Sequence, residues 1–343
     1  MQEAAFKEAP ERNVTDWLIR RAHRRYGLPN AARNTAVTEA WAALGASGYA
    51  IDKGVGDGTG VCQMDVFAKL KLADVMWNKT ADGNITSPGP PLCLEWASWG
   101  SFNAAAPAVK EAAKHINAIG QESPTSIPQT FSYDLVNTAR EVLAQLSIPM
   151  LLNFSAAFSA STLSAAQVKT TGDQFAELLS DMDSLLATDT AFMLGPWLAA
   201  ARKLGGNATD CSDTQIEGDI GNCANFMEWN AKAQLTTWYP VIGSSATPQV
   251  QQHGRDHDYA RKQWSGLLRD VQIPRAKLYQ RQALQDAAAG QPFNNTAALL
   301  GYAKQSFMWQ TDFGNHYPTE STGDAVAIST TLRKKYASFF KSC

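Results

Sequence analysis

The stretch Gly172–Asp189, GDQFAELLSDMDSLLATD, decides the fold class. Its Phe175, Leu178, Leu179, Met182, Leu185 and Leu186 fall at i, i+3, i+4, i+7, i+10 and i+11, which gathers them on one helical face. That is a core stripe, not a cofactor box. The same spacing returns from Tyr133 onward in Leu135, Val136, Ala139, Val142, Leu143 and Leu146, and this stripe is expected to stop before Pro149. Working outward, helices fit Val14–Tyr26, Ala104–Ile119, Ala191–Leu204, Asn222–Trp238, Asp258–Val271, Ala276–Ala289, Thr296–Trp309 and Asp324–Phe340. No run of alternating β-branched residues is long enough to predict a sheet of any size. The expected class is all-α, a domain of about nine or ten helices.

Two segments interrupt the helical pattern. Residues from about 50 to 102 are rich in Gly, Pro, Asp and Trp and read as a long irregular insertion; residues from about 239 to 256 read as a second loop. Binding groups concentrate on such loops. The glycine-rich run Gly54–Gly60 lacks the spacing and the Lys-Ser/Thr pair of a phosphate cradle. His253 and His257 stand four apart, but Gly254 and the missing general-base Glu argue against a zinc site. No metal and no cofactor are expected. No serine-hydrolase elbow occurs.

The chain has 343 residues, with 30 Lys+Arg against 32 Asp+Glu. That balance gives no field to draw the chain to nucleic acid or to an anionic membrane. No continuous apolar run of roughly 20 residues suggests a membrane span, and the opening MQEAAFKEAPERN lacks the basic-then-apolar pattern of a signal peptide. Other features point outside the cytosol. Asn-x-Ser/Thr sequons stand at Asn13, Asn78, Asn84, Asn153, Asn207 and Asn294. Cys211 and Cys223 flank a polar segment whose first reading is a loop closed by a disulfide, and Cys62 and Cys93 could form a second bridge that leaves Cys343 unpaired. Four cysteines allow three pairings, and spacing does not choose between these or five reduced thiols.

The carboxylates offer no catalytic pair. Asp181 and Asp183 sit two apart on a predicted helix and point in different directions, while Asp256 and Asp258 straddle an expected helix start, where capping accounts for such residues.

Several blocks nevertheless resemble, in order, the helical domain of the family 89 α-N-acetylglucosaminidases. They are Trp17–Gly27, WLIRRAHRRYG; Tyr133-Asp134-Leu135-Val136 with Arg140; Asp183–Leu198, DSLLATDTAFMLGPWL; Glu228, Asn230 and Ala233–Trp238; and Asp258–Arg275, DYARKQWSGLLRDVQIPR. The sequence departs from the pattern where Val271-Gln272 replaces a Tyr pair and Ala276 replaces a Trp. The resemblance implies that residues 1–343 form the C-terminal all-α domain of a retaining exo-glycoside hydrolase that removes terminal α-linked N-acetylglucosamine. An amino-terminal α/β domain and a TIM-like barrel bearing both catalytic glutamates would then lie upstream, outside this chain, so this chain alone should be inactive. Its partners would be that barrel and a glycan, with any oligomerisation running through the full-length enzyme, and its destination lysosomal or secreted. By position, Trp238 and Tyr259 match aromatic groups that line the family's sugar pocket. The alternative is a non-catalytic helical scaffold or carbohydrate-contacting module.

Overall fold

A computed structural model describes residues 13–28, 34–47, 76–82, 84–117, 127–159, 164–206, 222–236 and 262–343. In chain order these form α1 (Val14–Arg25), α2 (Thr35–Ala46), β1 (Trp77–Lys79), β2 (Ile85–Pro88), α3 (Pro90–Asn117), α4 (Gln129–Ser159), α5 (Ala165–Leu186), α6 (Leu194–Gly205), α7 (Cys223–Leu235), α8 (Ile273–Ala288), α9 (Asn295–Thr311) and α10 (Ala325–Tyr336). The fold is all-α, with one antiparallel two-stranded hairpin among the described residues. It divides into two compact units. The first holds α1, α2, the hairpin, α3, α4 as far as Gln145, and α10; the second holds the chain from Leu146 to Gly323.

In the first unit the α1 and α4 motif blocks meet. Tyr26 is fully buried; its hydroxyl donates to Asp134 Oδ2 at 2.7 Å and accepts from Trp41 Nε1 at 2.9 Å. Arg25 Nε donates to the same carboxylate at 3.0 Å, and the Phe131 ring meets the Tyr26 ring edge-on at 5.1 Å. Burial drives the phenol well above its ordinary pKa. One of the five side chains in this knot, Trp41, lies on α2, a helix absent from the expected set.

The helix α3 corrects the expected insertion, because it begins at Pro90 and runs through what was read as irregular chain up to 102. Gly89-Pro90-Pro91 starts this helix: proline has no N–H to lose in a first turn. Helix α4 likewise runs past Pro149 to Ser159. Proline at 149 leaves the Gln145 carbonyl without its i+4 donor, and Trp77 Nε1 fills the vacancy at 2.9 Å. By length and composition α4 could cross a membrane, yet most of its apolar window is buried in the fold, as a core helix requires.

The chain's last residues close the first unit on α3. Trp99 Nε1 donates to Ser329 Oγ at 2.6 Å, and Ser329 donates to Asn103 Oδ1 at 2.8 Å. The Arg333 guanidinium lies 4.3 Å from the Trp96 ring, which stacks on Phe340 at 4.2 Å. Beside this clamp Cys93 and Cys343 form a disulfide. The expected Cys62–Cys93 bridge with Cys343 unpaired is therefore wrong: Cys93 sits in the first turn of α3, where the final turn Ala337–Phe340 brings Cys343 to it. Cys223 is disulfide-bonded too, while Cys62 and Cys211 lie outside the described residues.

In the second unit all six stripe residues of α5 are buried. Phe154, Phe158, Phe175, Tyr279 and Phe293 make a connected ring cluster that joins α4, α5 and α8. Gly172 keeps the α5 surface low there, since a Cβ would come within 2.7 Å of the Gln280 amide.

Opening the terminal bridge tests the clamp. Cys343→Ser is expected to cost about 2–5 kcal/mol of unfolding free energy, read from urea denaturation followed by tryptophan fluorescence with and without reductant. The substituted chain should show no further loss attributable to this bridge on reduction.

Candidate functional site

Both aromatic residues expected at a sugar pocket, Trp238 and Tyr259, lie outside the described residues, as do His253, His257, Asp256 and Asp258. What the structure describes is the pair of stems from which that segment leaves and to which it returns, both in the second unit.

The first stem is α7. Asn222 caps its start by accepting from Asn225 N at 2.9 Å, and Ala231 and Leu235 face the core. Glu228 is buried between two cations, Arg202 and Lys232, the latter at 2.7 Å. Lys232 is wholly buried; it donates to the Asp312 carbonyl at 2.6 Å and lies over the rings of Trp309 and Phe313. A buried carboxylate held by two cations is a structural fixture, because removing either partner strands a charge. At the helix end Thr236 Oγ1 donates to Lys232 O and accepts from Gln310 Nε2, each at 2.9 Å. The chain therefore leaves α7, two residues before Trp238, from a fixed point.

The second stem is Lys262–Gly266. Ser265 pairs with Met193 in a parallel bridge: Ser265 N donates to Phe192 O at 2.8 Å, and Leu194 N donates to Ser265 O at 3.0 Å. This bridge corrects the single helix expected over Ala191–Leu204. Met193 is drawn into extended backbone, which separates a 3₁₀ turn at Thr190–Phe192 from α6. It also ends the helix expected over Asp258–Val271, whose described part becomes an extended stem followed by a π-helical turn, Leu268–Gln272.

Asp183 holds this stem. Its Oδ1 accepts from Gly266 N at 2.7 Å and from Arg269 N at 3.2 Å, and its Oδ2 accepts from Ser265 Oγ at 3.2 Å. Burial pushes its carboxyl above the ordinary range, while these donors and the Arg269 charge pull the other way. It acts as an N-terminal cap supplied from another helix. Asp270 responds in the opposite direction. Burial would raise it, but its two bonds from Arg269, both 2.9 Å, together with Tyr317 and Asn315, hold it below the ordinary range.

Two glycines permit this packing. A Cβ on Gly195 would lie 1.9 Å from the Pro318 carbonyl oxygen, and Gly266, at φ +89°, sits where a Cβ would meet the Tyr317 ring at 2.8 Å. Tyr317 in turn accepts from Trp309 Nε1 at 2.8 Å.

At the second stem, two tryptophans that the sequence reading did not single out come together. Trp197 on α6 is 41% exposed, and its ring centre lies 5.8 Å from that of the half-buried Trp264; Lys262 Nζ lies over the Trp264 ring. The signal was present in the α6 sequence. Leu194 and Leu198 fill the core and Ala201 packs against it, whereas Trp197 and Leu204, seven apart, are 41% and 80% exposed. The flank of α6 beside its core stripe therefore carries exposed apolar side chains. The carboxylates here serve as cap and ion-pair partners, and the indoles offer flat apolar surface.

Elsewhere in the unit a groove of about 780 Å³ lies between α5 and α8. Asp173 and Glu177 on one wall oppose Lys277 and Arg281 on the other, which is cross-helix charge matching.

Against known proteins, residues 17–335 match a family model described as the alpha-N-acetylglucosaminidase (NAGLU) C-terminal domain. The human alpha-N-acetylglucosaminidase is 29% identical over 209 residues, which cover 60% of this chain and 24% of the human protein. A family 89 glycoside hydrolase from Clostridium perfringens, solved with 2-acetamido-1,2-dideoxynojirmycin, superposes with a TM-score of 0.69 at 19% identity, covering 98% of this chain and 32% of the other. A variant of that enzyme, solved with its substrate GlcNAc-alpha-1,4-galactose, gives 0.69 at 18% identity over 98% of this chain and 33% of the other. The chain thus spans about a quarter of the curated relative's length and a third of the solved ones.

The stem packing has a direct test. Gly195→Ala is expected to cost about 3 kcal/mol or more, because the clash is with backbone, not with a side chain that can turn away; thermal unfolding of the purified chain reads it, with Gly314→Ala, whose Cβ would make only an ordinary 3.5 Å contact with Asp312, as the comparison.

Proposed function

The chain belongs to the family of α-N-acetylglucosaminidase C-terminal domains, and on that premise we propose that it is the helical, non-catalytic part of a retaining exo-glycoside hydrolase that removes terminal α-linked N-acetylglucosamine. One observation carries this reading: the family match spans residues 17–335, so it covers both stems and the segment between them. In this proposal the two catalytic carboxylates come from polypeptide outside this chain, as the share of the relatives' length covered here allows.

The helical part has two tasks. It buttresses the catalytic part, and the segment between Thr236 and Lys262 carries Trp238 and Tyr259 to the sugar. An indole face suits the apolar C–H face of a pyranose, and a phenol can pack while hydrogen-bonding a hydroxyl. The stems support this, since both ends of the segment are held by buried polar contacts at Thr236 and Ser265. The outer face of α6 supports the buttress. Trp197 and Leu204, with the half-buried Trp264 beside Trp197, leave exposed apolar surface suited to pack on the rest of the enzyme. No cofactor enters the scheme, and the proposed destination is a lysosomal or secreted one.

Two measurements test the function. The isolated chain should release no p-nitrophenol from the α-N-acetylglucosaminide; release at a rate comparable to a full-length enzyme overturns the assignment of the acids to other polypeptide. In the full-length enzyme, Trp238→Ala should lower kcat/KM about 10-fold or more, the loss of one stacked ring, while the isolated chain keeps its melting temperature. A collapse of the isolated fold instead would identify Trp238 as a core residue.

Glycosylation separates the sequons by their amide chemistry. Asn78 Nδ2 donates to both Ser87 Oγ and Pro88 O, so a glycan, which takes one of the two amide hydrogens, would cost one of these two bonds across the hairpin. Asn84 spends one hydrogen on Asp82, and Asn294 uses its Oδ1, accepting from Ala297 N. Mass spectrometry after enzymatic deglycosylation should find occupancy at Asn84 and Asn294 and little at Asn78.

A further inference from the structure

Glu95 stands in the second turn of α3 and is 2% exposed, and its Oε2 has no hydrogen-bond partner among the described residues. The charges acting on it come from α4: Glu141, and Arg140 beside it. That cation is already committed. Arg140 pairs with Glu141 at 3.1 Å and donates twice to Asn137 Oδ1. Gln145 adds its amide to the other oxygen of Glu141 at 3.2 Å. On α10, Arg333 lies over the Trp96 ring and donates to the Trp96 carbonyl. On α2, Glu39 is approached by Ser101 and brings no positive charge. Buried Glu95 therefore faces, from α4, one like charge and one cation that is already committed.

We propose that Glu95 is a stored proton, a neutral carboxylic acid sealed between α3 and α4, and that its ionisation makes the first unit a pH-sensitive element, tightest in acid and loosened toward alkaline pH. The balance is one proton: the folded chain keeps the Glu95 O–H, and on ionisation the proton goes to solvent. Burial first, and then the Glu141 charge, push this carboxyl up to about 8, with Arg140 pulling it back. The folded value is raised above the ordinary unfolded one of 4.5, so the sign is fixed. Below the unfolded value both states hold the proton and the contribution is whole. It falls as pH rises through the window and is lost above the folded value, with the folding equilibrium dropping up to about tenfold per pH unit. The inference is independent of any sugar chemistry.

The experiment is urea denaturation of the full chain at pH 5, 6.5, 8 and 9, beside Glu95→Gln, which keeps the shape without the acid. The wild type should lose stability steadily across this range, and Glu95→Gln should lose markedly less. Parallel slopes in the two proteins would overturn the proposal. Should Glu95→Gln not fold, infrared spectroscopy of the wild type decides. A buried protonated-carboxyl band present at pH 6.5 and gone by pH 9 supports the stored proton, and its absence at pH 6.5 refutes it.

Discussion

The carboxylate of Asp183 is the contact on which the described half of the site depends. It takes the backbone N–H groups of Gly266 and Arg269, donors of the kind that the start of a helix leaves without intrahelical partners, and the hydroxyl of Ser265 as well. Because the acceptor is bolted to α5, whose whole stripe is buried, the start of the following helix inherits the rigidity of the core. The Met193–Ser265 bridge then hangs α6 on the same point. The motif block DSLLATDTAFMLGPWL acquires a physical reading: its Asp183 anchors the returning stem, its Leu194 and Leu198 fill the core, its Gly195 admits the Pro318 carbonyl, and its Trp197 faces outward.

Most of the helical frame was legible because apolar periodicity is a local property. The α5 stripe is buried as read, and the starts of α1, α9 and α10 fall within a residue or so of their expected positions. What escaped the reading was decided by groups distant in sequence. Pro149 signals a helix end, yet α4 continues, and the carbonyl of Gln145 that the proline leaves free is taken by the indole of Trp77, 68 residues before it. Met193 leaves the helical ladder because Ser265 pairs with it. Helix α2 was missed for another reason: TAVTEAWAALGA is rich in alanine, so its pattern carries little contrast between faces. The disulfide partner of Cys93 was beyond spacing arguments altogether, being 250 residues away.

The site was legible to a different degree. Trp238 and Tyr259 rest on motif position, and periodicity would have left them as ordinary aromatics. Trp197 and Trp264 were visible in the same motifs, but a tryptophan among leucines reads as core; Trp264 does pack against the core, while Trp197 is left 41% exposed. Glu228 and Asp183 illustrate the converse. Buried acids near a candidate pocket invite a chemical role, yet each has a full set of structural partners that accounts for it.

The clamp of Arg333, Trp96 and Phe340, sealed by Cys93 and Cys343, has a temporal consequence. The first unit is assembled from both ends of the chain, with the second unit spliced into its middle. On a ribosome delivering about 5–20 residues per second, the second unit, which is synthesised in full by Gly323, can complete its packing while α1 to α3 still wait for α10. Nascent chains would therefore pass through a state in which Trp96, Trp99 and the Cys93 thiol lie uncovered, a natural place for chaperones and thiol oxidoreductases to engage.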